Sequence, residues 1–410
     1  MATLTPFRAL RPTAADASRI AAVPYDVVST DEARALADGN PYSFLRVSRA
    51  EIELPPGTNP YGDSVYERAA ENFAALRQSS LLVDDEPAIY LYRLRMGSHE
   101  QIGIAGCWAL AEYDRDVIKK HERTRRDKED DRTRHMIAIG AQTGPVFLTY
   151  RASPPIDAAV RRLVSNEPLF DFAAPDAVRH TVWSVCGVDR DALVHAFSSI
   201  QSLYIADGHH RAASAARARD YFCREKAARP SLGDNADFTA FLGVAFPHDQ
   251  VQILAYNRVV KDLGLESPAA VFDALRSRFD VQEGPATPAR RGDVSAYFNG
   301  RWHTLRTRSG PDPSDPIRSL DVSVLQDQLL GPVLGIADVT TDKRIDFVGG
   351  ARGTTELEAL VRSGKAAIAF SMFPVSIDDL MAVSDAGSIM PPKSTWFEPK
   401  LRDGLLSHLI

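Results

Sequence analysis

Apolar positions in this chain recur with two periods, about 3.6 and 2, and the points where one gives way to the other mark the elements it predicts. Leu203-Tyr204-Ile205-Ala206 is a short apolar run, Asp207-Gly208 supplies a turn, and the Ala- and Arg-rich stretch 211–221 has helical character, so the reading is strand, sharp turn, helix. Over 63–78, Val65, Ala69, Phe73 and Leu76 fall on one stripe of a helix. Ser29 and Glu32 form a capping box for a helix that stops near Gly39, preceded by a strand or extended segment at 23–28. Strict alternation predicts strands at 88–96 and 101–113 around Gly97-Ser98. Further strands are expected at 143–150, 180–186, 241–246 and 251–256, and a hairpin at 296–307 around Asn299-Gly300. Helices are expected at 268–279 and 377–386, with a buried strand at 365–370. The sum is an α+β chain. Residues 53–59 and 309–316, rich in Pro and Gly, read as lobe boundaries or surface loops.

Length then divides this pattern, because 410 residues exceed what one hydrophobic core usually supports. Three regions are expected: 1–114, 115–260 and 261–410. Apolar residues at 44% and charged residues at 25% are ordinary globular usage, and a net charge of -6 is small for the size. There is neither a basic domain nor a recognisable helix-turn-helix, so nucleic acid is not an expected partner. Cys107, Cys186 and Cys223 are odd in number and widely spaced, which excludes a CxxC motif and fits a reducing, cytoplasmic setting. Residues 1–10 lack a signal-peptide apolar region, and no stretch approaches the roughly 18 to 20 apolar residues of a membrane span. Oligomeric state is left open.

Candidate chemistry gathers at three places. Asp207-Gly208-His209-His210-Arg211 lies at a helix entrance, where unpaired N–H groups and a positive macrodipole favour an anion such as phosphate. An ordinary N-cap and turn would use the same residue types. Residues 116–134 are a dense charge run of mixed sign, which by composition is a solvated face. Its His121-Glu122 is no zinc motif, since position 125 is Arg where HExxH needs His. Near the C-terminus, Lys393-Ser394-Thr395 follow Pro391-Pro392 on a stiffened loop suited to a carboxylate or phosphate; a surface tail anchored by Trp396 and Phe397 is the alternative. Tyr25 and Asp26, polar groups at an element's end, could line a site but read first as turn chemistry.

These words resemble known ones. Asp207 to Arg211 look like the nucleotide-phosphate motif of the ParB and sulfiredoxin superfamily, and most closely that of archaeal free serine kinases. Those kinases carry Lys-Pro-His-Glu upstream, matched here by Lys119, His121 and Glu122 with Lys120 in place of Pro, and Pro-Lys-Thr-Thr near the C-terminus. All three words, with Pro24-Tyr25-Asp26-Val27 and the closing Gly404-Leu405, resemble a bacterial family catalogued as domain-of-unknown-function family 1015. The resemblance implies a ParB/sulfiredoxin-like nucleotide-binding core at 115–260, flanked by N-terminal and C-terminal α+β lobes. It implies transfer of a phosphoryl group from ATP or ADP to a small hydroxyl compound, free serine foremost. Glu122 would be the base and Asp207 a second catalytic group or Mg²⁺ ligand. Gly208, His209, His210, Arg211, Lys119 and His121 would hold the nucleotide, and Lys393, Ser394 and Thr395 the substrate. A ParB-like nucleotide switch without transferase activity is the rival. Relative to the archaeal kinases about 50 residues are inserted between Glu122 and Asp207, most cheaply accommodated as a surface excursion.

Overall fold

A computed structural model describes residues 1–228, 237–264, 267–308 and 315–410. Most of the expected loop at 309–316 lies outside the described residues. The chain forms two compact units: Met1–Val251 with Pro399–Ile410, and Gln252–Glu398.

The first unit is built on a nine-stranded mixed sheet. Its order is Ile118–Lys119, Leu203–Asp207, Val146–Tyr150, Ala240–Pro247, His99–Ala109, Ile89–Met96, Arg179–Val185 and Phe170–Ala173, with Leu4–Thr5 also paired to His99–Ala109. A boundary at 114 would cut this sheet, since His99–Ala109 pairs directly with Ala240–Pro247. One core holds Leu4, Ile89, Leu91 and Trp108 together with Val146, Leu148, Leu203, Ile205 and Phe241. Burying these side chains jointly is what fuses the N-terminal region to the expected central one.

The stretch between Glu122 and Asp207 is not a surface excursion as a whole. Val146–Tyr150 lies between two partners, antiparallel to Leu203–Asp207 and parallel to Ala240–Pro247, and all five of its residues are buried. A strand with both edges paired and both faces covered belongs to the core. The C-terminal segment is equally integral. Asp403 exchanges backbone hydrogen bonds with Ala22, Ser407 does so with Leu10, and His408–Leu409 pairs antiparallel with Ala141–Gln142.

Most local expectations hold in this unit. Ser29 and Glu32 form both bonds of the capping box ahead of the helix Thr30–Ala37, and the helix Asp63–Ser79 buries Val65, Ala69, Phe73 and Leu76. Residues 23–28 are turn rather than strand. The second strand of the first hairpin stops at Ala109, where a short helix Leu110–Asp114 takes over.

In the second unit a six-stranded antiparallel sheet runs Phe279–Glu283, Arg301–Thr307, Asp293–Phe298, Ile368–Ser371, Tyr256–Val260 and Ile345–Gly349. The hairpin turns at Asn299 and Gly300, both with positive φ (50° and 77°), as a two-residue turn of this kind requires. The helix predicted at 268–279 ends at Arg276, and Phe279 opens a strand instead. A second capping box, Ser376 with Asp379, starts Ile377–Asp385.

Candidate active site

The strand Leu203–Asp207, the turn at Gly208 and the helix His209–Ala228 realise the predicted strand-turn-helix. Gly208 has φ +95°, and a Cβ there would meet Arg211 Nη1 and Val146 Cα at 3.4 Å, so conformation and space both favour glycine. Beside this strand runs Ile118–Lys119, parallel, with Lys119 opposite Tyr204. That register brings the start of the charge run alongside the turn. The backbone N–H of His121 donates to His209 Nε2 (3.4 Å) and that of Arg125 donates to His210 Nε2 (3.0 Å). Both histidines therefore clamp residues 121–125 onto the helix start.

The run then continues as the helix Arg126–Ile139, which packs along His209–Ala228: Ser214 Oγ donates to Glu129 O (3.1 Å), and Arg217 pairs with Glu129 (3.2 Å) and Asp130. It buries Asp131, Thr133, His135, Met136 and Ile139. The composition-based picture of a solvated face fails here because the pairing groups sit on the neighbouring helix, out of reach of a sequence window.

Accepting at Nε2 leaves the His209 proton on Nδ1, and Nδ1 faces Glu122 Oε2 at 3.8 Å. Burial, then the proximity of His121, holds His209 well below the ordinary histidine range, so at neutral pH this contact is dipolar and not an ion pair. Burial likewise pulls His121 down to about 4. The Glu122 side chain is 41% exposed and the His209 side chain 3%, so the carboxylate stands at the accessible side of a buried, neutral histidine pair. Donor atoms of His121, Glu122 and His209 lie within 4.8 Å of one another, a spacing a transition-metal ion can use. Ligation through His209 Nδ1 would cost the bond from His121 N–H, because that nitrogen carries the proton.

Asp207 was expected to hold Mg²⁺. Its Oδ2 is instead 3.0 Å from Lys400 Nζ. Burial works against the Asp207 charge, but Lys400, then Arg211, outweigh it and keep the carboxyl well below the usual carboxylate range. Mg²⁺ at phosphoryl-transfer sites takes one or two carboxylates with phosphate and water oxygens, and Asp207 would have to give up its Lys400 ammonium to serve as one of them.

Arg211 also departs from expectation. It is buried, with Nη1 donating to Pro145 O (3.1 Å) and Nη2 to Asp26 (3.2 Å). Burial opposes its charge, yet Asp26, Asp403 and Asp207 outweigh that and keep it firmly protonated. Both Nη atoms are thus engaged by protein acceptors, while Nε is buried without a hydrogen-bond partner among the described residues. Lys400 is a second cation at this turn, 3.0 Å from Asp207 Oδ2. Asp403 completes the cluster: burial, opposed by Arg211 and reinforced by Asp26, pushes its carboxyl up to about 7. A Cβ on Gly144 would come within 2.8 Å of Asp403 Oδ1 and 3.5 Å of Arg211 Nε.

Sequence reasoning thus missed Lys400 and Asp403 and undervalued Asp26. Lys400 had a faint signal, since it closes the word that begins at Pro391, whereas Asp403 had none. Lys393, Ser394 and Thr395 belong to the second unit. There Ser394 Oγ donates to Pro391 O (2.6 Å), and Lys393 has φ 58° with its carbonyl accepting from Arg258 Nη2 (3.1 Å).

No helix among the described residues is long and apolar enough to cross a membrane. No curated protein matches the chain. Solved structures resemble it weakly. A conserved hypothetical protein from Pyrococcus furiosus is 14% identical, with a TM-score of 0.34 over 74% of this chain and 94% of that one. A free serine kinase in complex with AMP is 14% identical, with a TM-score of 0.34 over 73% and 91%. SbnI from Staphylococcus aureus, truncated at its C-terminus, is 11% identical, with a TM-score of 0.37 over 73% and 85%. The sequence family described as "Protein of unknown function (DUF1015)" matches residues 4–323, and the chain belongs to that family.

Proposed function

We propose that this protein is a nucleotide-dependent phosphotransferase, built on a ParB/sulfiredoxin-like core, that moves a phosphoryl group from ATP or ADP to a small hydroxyl compound, free L-serine foremost. The observation that carries the reading is the 3.8 Å approach of Glu122 to His209, the first residue of the helix that follows the Asp207-Gly208 turn. It sets a half-exposed carboxylate beside a helix N-terminus, which pairs a proton acceptor with an anion-binding element.

In this reading the backbone N–H groups of Gly208, His209 and His210 hold the phosphates, and Lys400, steadied by Asp207, offsets charge that develops on the phosphoryl oxygens. His209 and His121 are neutral, so they orient Glu122 without neutralising it. Glu122 takes the proton of the substrate hydroxyl. The freed oxygen forms a bond to the terminal phosphorus, and the bond to the bridging oxygen breaks. The electron pair of that bond leaves with the nucleoside mono- or diphosphate. Lys119 complements donor charge, and Lys393, Ser394 and Thr395 are assigned to the substrate by their resemblance alone.

The test is product formation when ATP and ADP are each offered with a panel of amino acids and small alcohols, followed by phosphorus NMR. A new phosphomonoester signal with serine is the expected result. Tight nucleotide binding with no product from any alcohol would replace this reading by a nucleotide-dependent switch.

A further inference from the structure

The second unit holds a buried charge that no carboxylate among its described residues pairs with. Arg258 sits at the middle of Tyr256–Val260, a strand paired on both sides, and is 3% exposed. Its guanidinium makes two hydrogen bonds, Nη1 to Tyr256 O and Nη2 to Lys393 O, both to main-chain carbonyls. No Asp or Glu among the described residues forms an ion pair with it. The other buried arginines among the described residues are treated differently: Arg211 pairs with Asp26 and Arg402 with Asp176. Two carbonyl dipoles do not neutralise a full charge, and three of the five guanidinium N–H directions remain for another acceptor. Burial draws Arg258 down to about 10, which leaves it charged at neutral pH.

Its surroundings are aromatic. The Phe347 ring lies 5.5 Å from Arg258 Cζ; Tyr256 meets Phe347 edge-on at 5.9 Å and Trp396 at 5.2 Å. Lys393 Nζ stands 5.5 Å from the Tyr256 ring centroid and brings a second cation to the same rings. Of the nearby acids, Asp346 on the paired strand Ile345–Gly349 stands opposite Val259 and lies 3.7 Å from Lys261 Nζ, and Glu398 accepts the Trp396 indole N–H (2.9 Å). A planar cation with open donors, walled by rings and lacking an acid, matches a carboxylate or phosphate joined to a small organic body.

We propose that Arg258 is an oxyanion receptor of the second unit, which takes the carboxylate or phosphate of a small molecule against the Tyr256, Phe347 and Trp396 rings. The proposal extends the substrate role given to the neighbouring Lys393 loop, but its test requires no phosphoryl transfer.

The full chain is titrated calorimetrically with inorganic phosphate and, separately, with acetate, against sodium chloride at matched ionic strength, and thermal unfolding is followed in each. One of the two oxyanions binds the wild type and raises its Tm above the chloride value, and the arm that responds distinguishes phosphate from carboxylate. Arg258→Met weakens that binding about ten-fold or more and abolishes the Tm shift. Arg258→Lys, which keeps the charge, retains part of both and decides the matter where Arg258→Met does not fold. The proposal is overturned if neither oxyanion acts on the wild type, or if the response survives undiminished in Arg258→Met. It falls equally if Arg258→Lys folds and loses as much as a neutral residue would.

Discussion

Lys400 Nζ lies 3.0 Å from Asp207 Oδ2, although 193 positions separate the two residues. The C-terminal strap delivers this ammonium to the turn through its own backbone pairing with residues 10, 22, 141 and 142. Its charge suits both the resting carboxylate and an incoming phosphate.

Replacing that ammonium tests the pair directly. Lys400→Met leaves the Asp207 carboxylate with a weaker set of partners, and stability at pH 7 should fall by about 1 to 3 kcal/mol in urea unfolding. The Asp207 carboxyl is held below its ordinary pKa, so its contribution is present above about pH 4 and lost as pH falls further. The gap between wild type and variant should therefore narrow at pH 3, and a gap independent of pH would show that Asp207 is not the partner that matters.

For Glu122 the discriminating quantity is turnover. Glu122→Gln keeps size and most hydrogen bonding but removes proton acceptance, so the rate should drop at least about 10²-fold while nucleotide affinity holds. Phosphoserine formed at the parental rate would exclude Glu122 as the base.

Arg211 separates a structural role from a ligand-binding one. With Asp26 and the buried Asp403 left without their guanidinium, Arg211→Met should destabilise the fold by about 3 to 5 kcal/mol. A variant of parental stability that has lost only nucleotide affinity would return Arg211 to the phosphate site.

Asp403 predicts a pH slope of opposite sign. Its folded pKa, about 7, lies above the ordinary value of about 3.9, so the folded state binds the extra proton and stability is lost as pH rises between the two. Asp403→Asn should remove that slope and unfold no more easily than wild type at pH 8, a difference on the order of a few kcal/mol across pH 4 to 8. Parallel stability curves for the two proteins would refute the assignment.

Much of this was legible in the residues themselves. The capping box at Ser29 and Glu32, the stripe on Asp63–Ser79, the hairpin at Asn299-Gly300 and the turn at Gly208 are local, because each depends on backbone geometry and side chains within a few positions. The words around Glu122 and Asp207 were legible for the same reason. What the sequence could not display was partnership. Nothing near position 400 indicates that its ammonium will meet Asp207, and nothing in the 116–134 charge run shows that Asp131 and Thr133 will be buried. Arg211 reads locally as a phosphate ligand, and only the fold brings Asp26 and Asp403 to it, just as only the fold places Val146–Tyr150, within the stretch between Glu122 and Asp207, at the centre of the sheet. The charge that a buried group keeps, and the ligand it can still accept, depend on long-range neighbours in a low-dielectric interior, and only the tertiary structure brings those together.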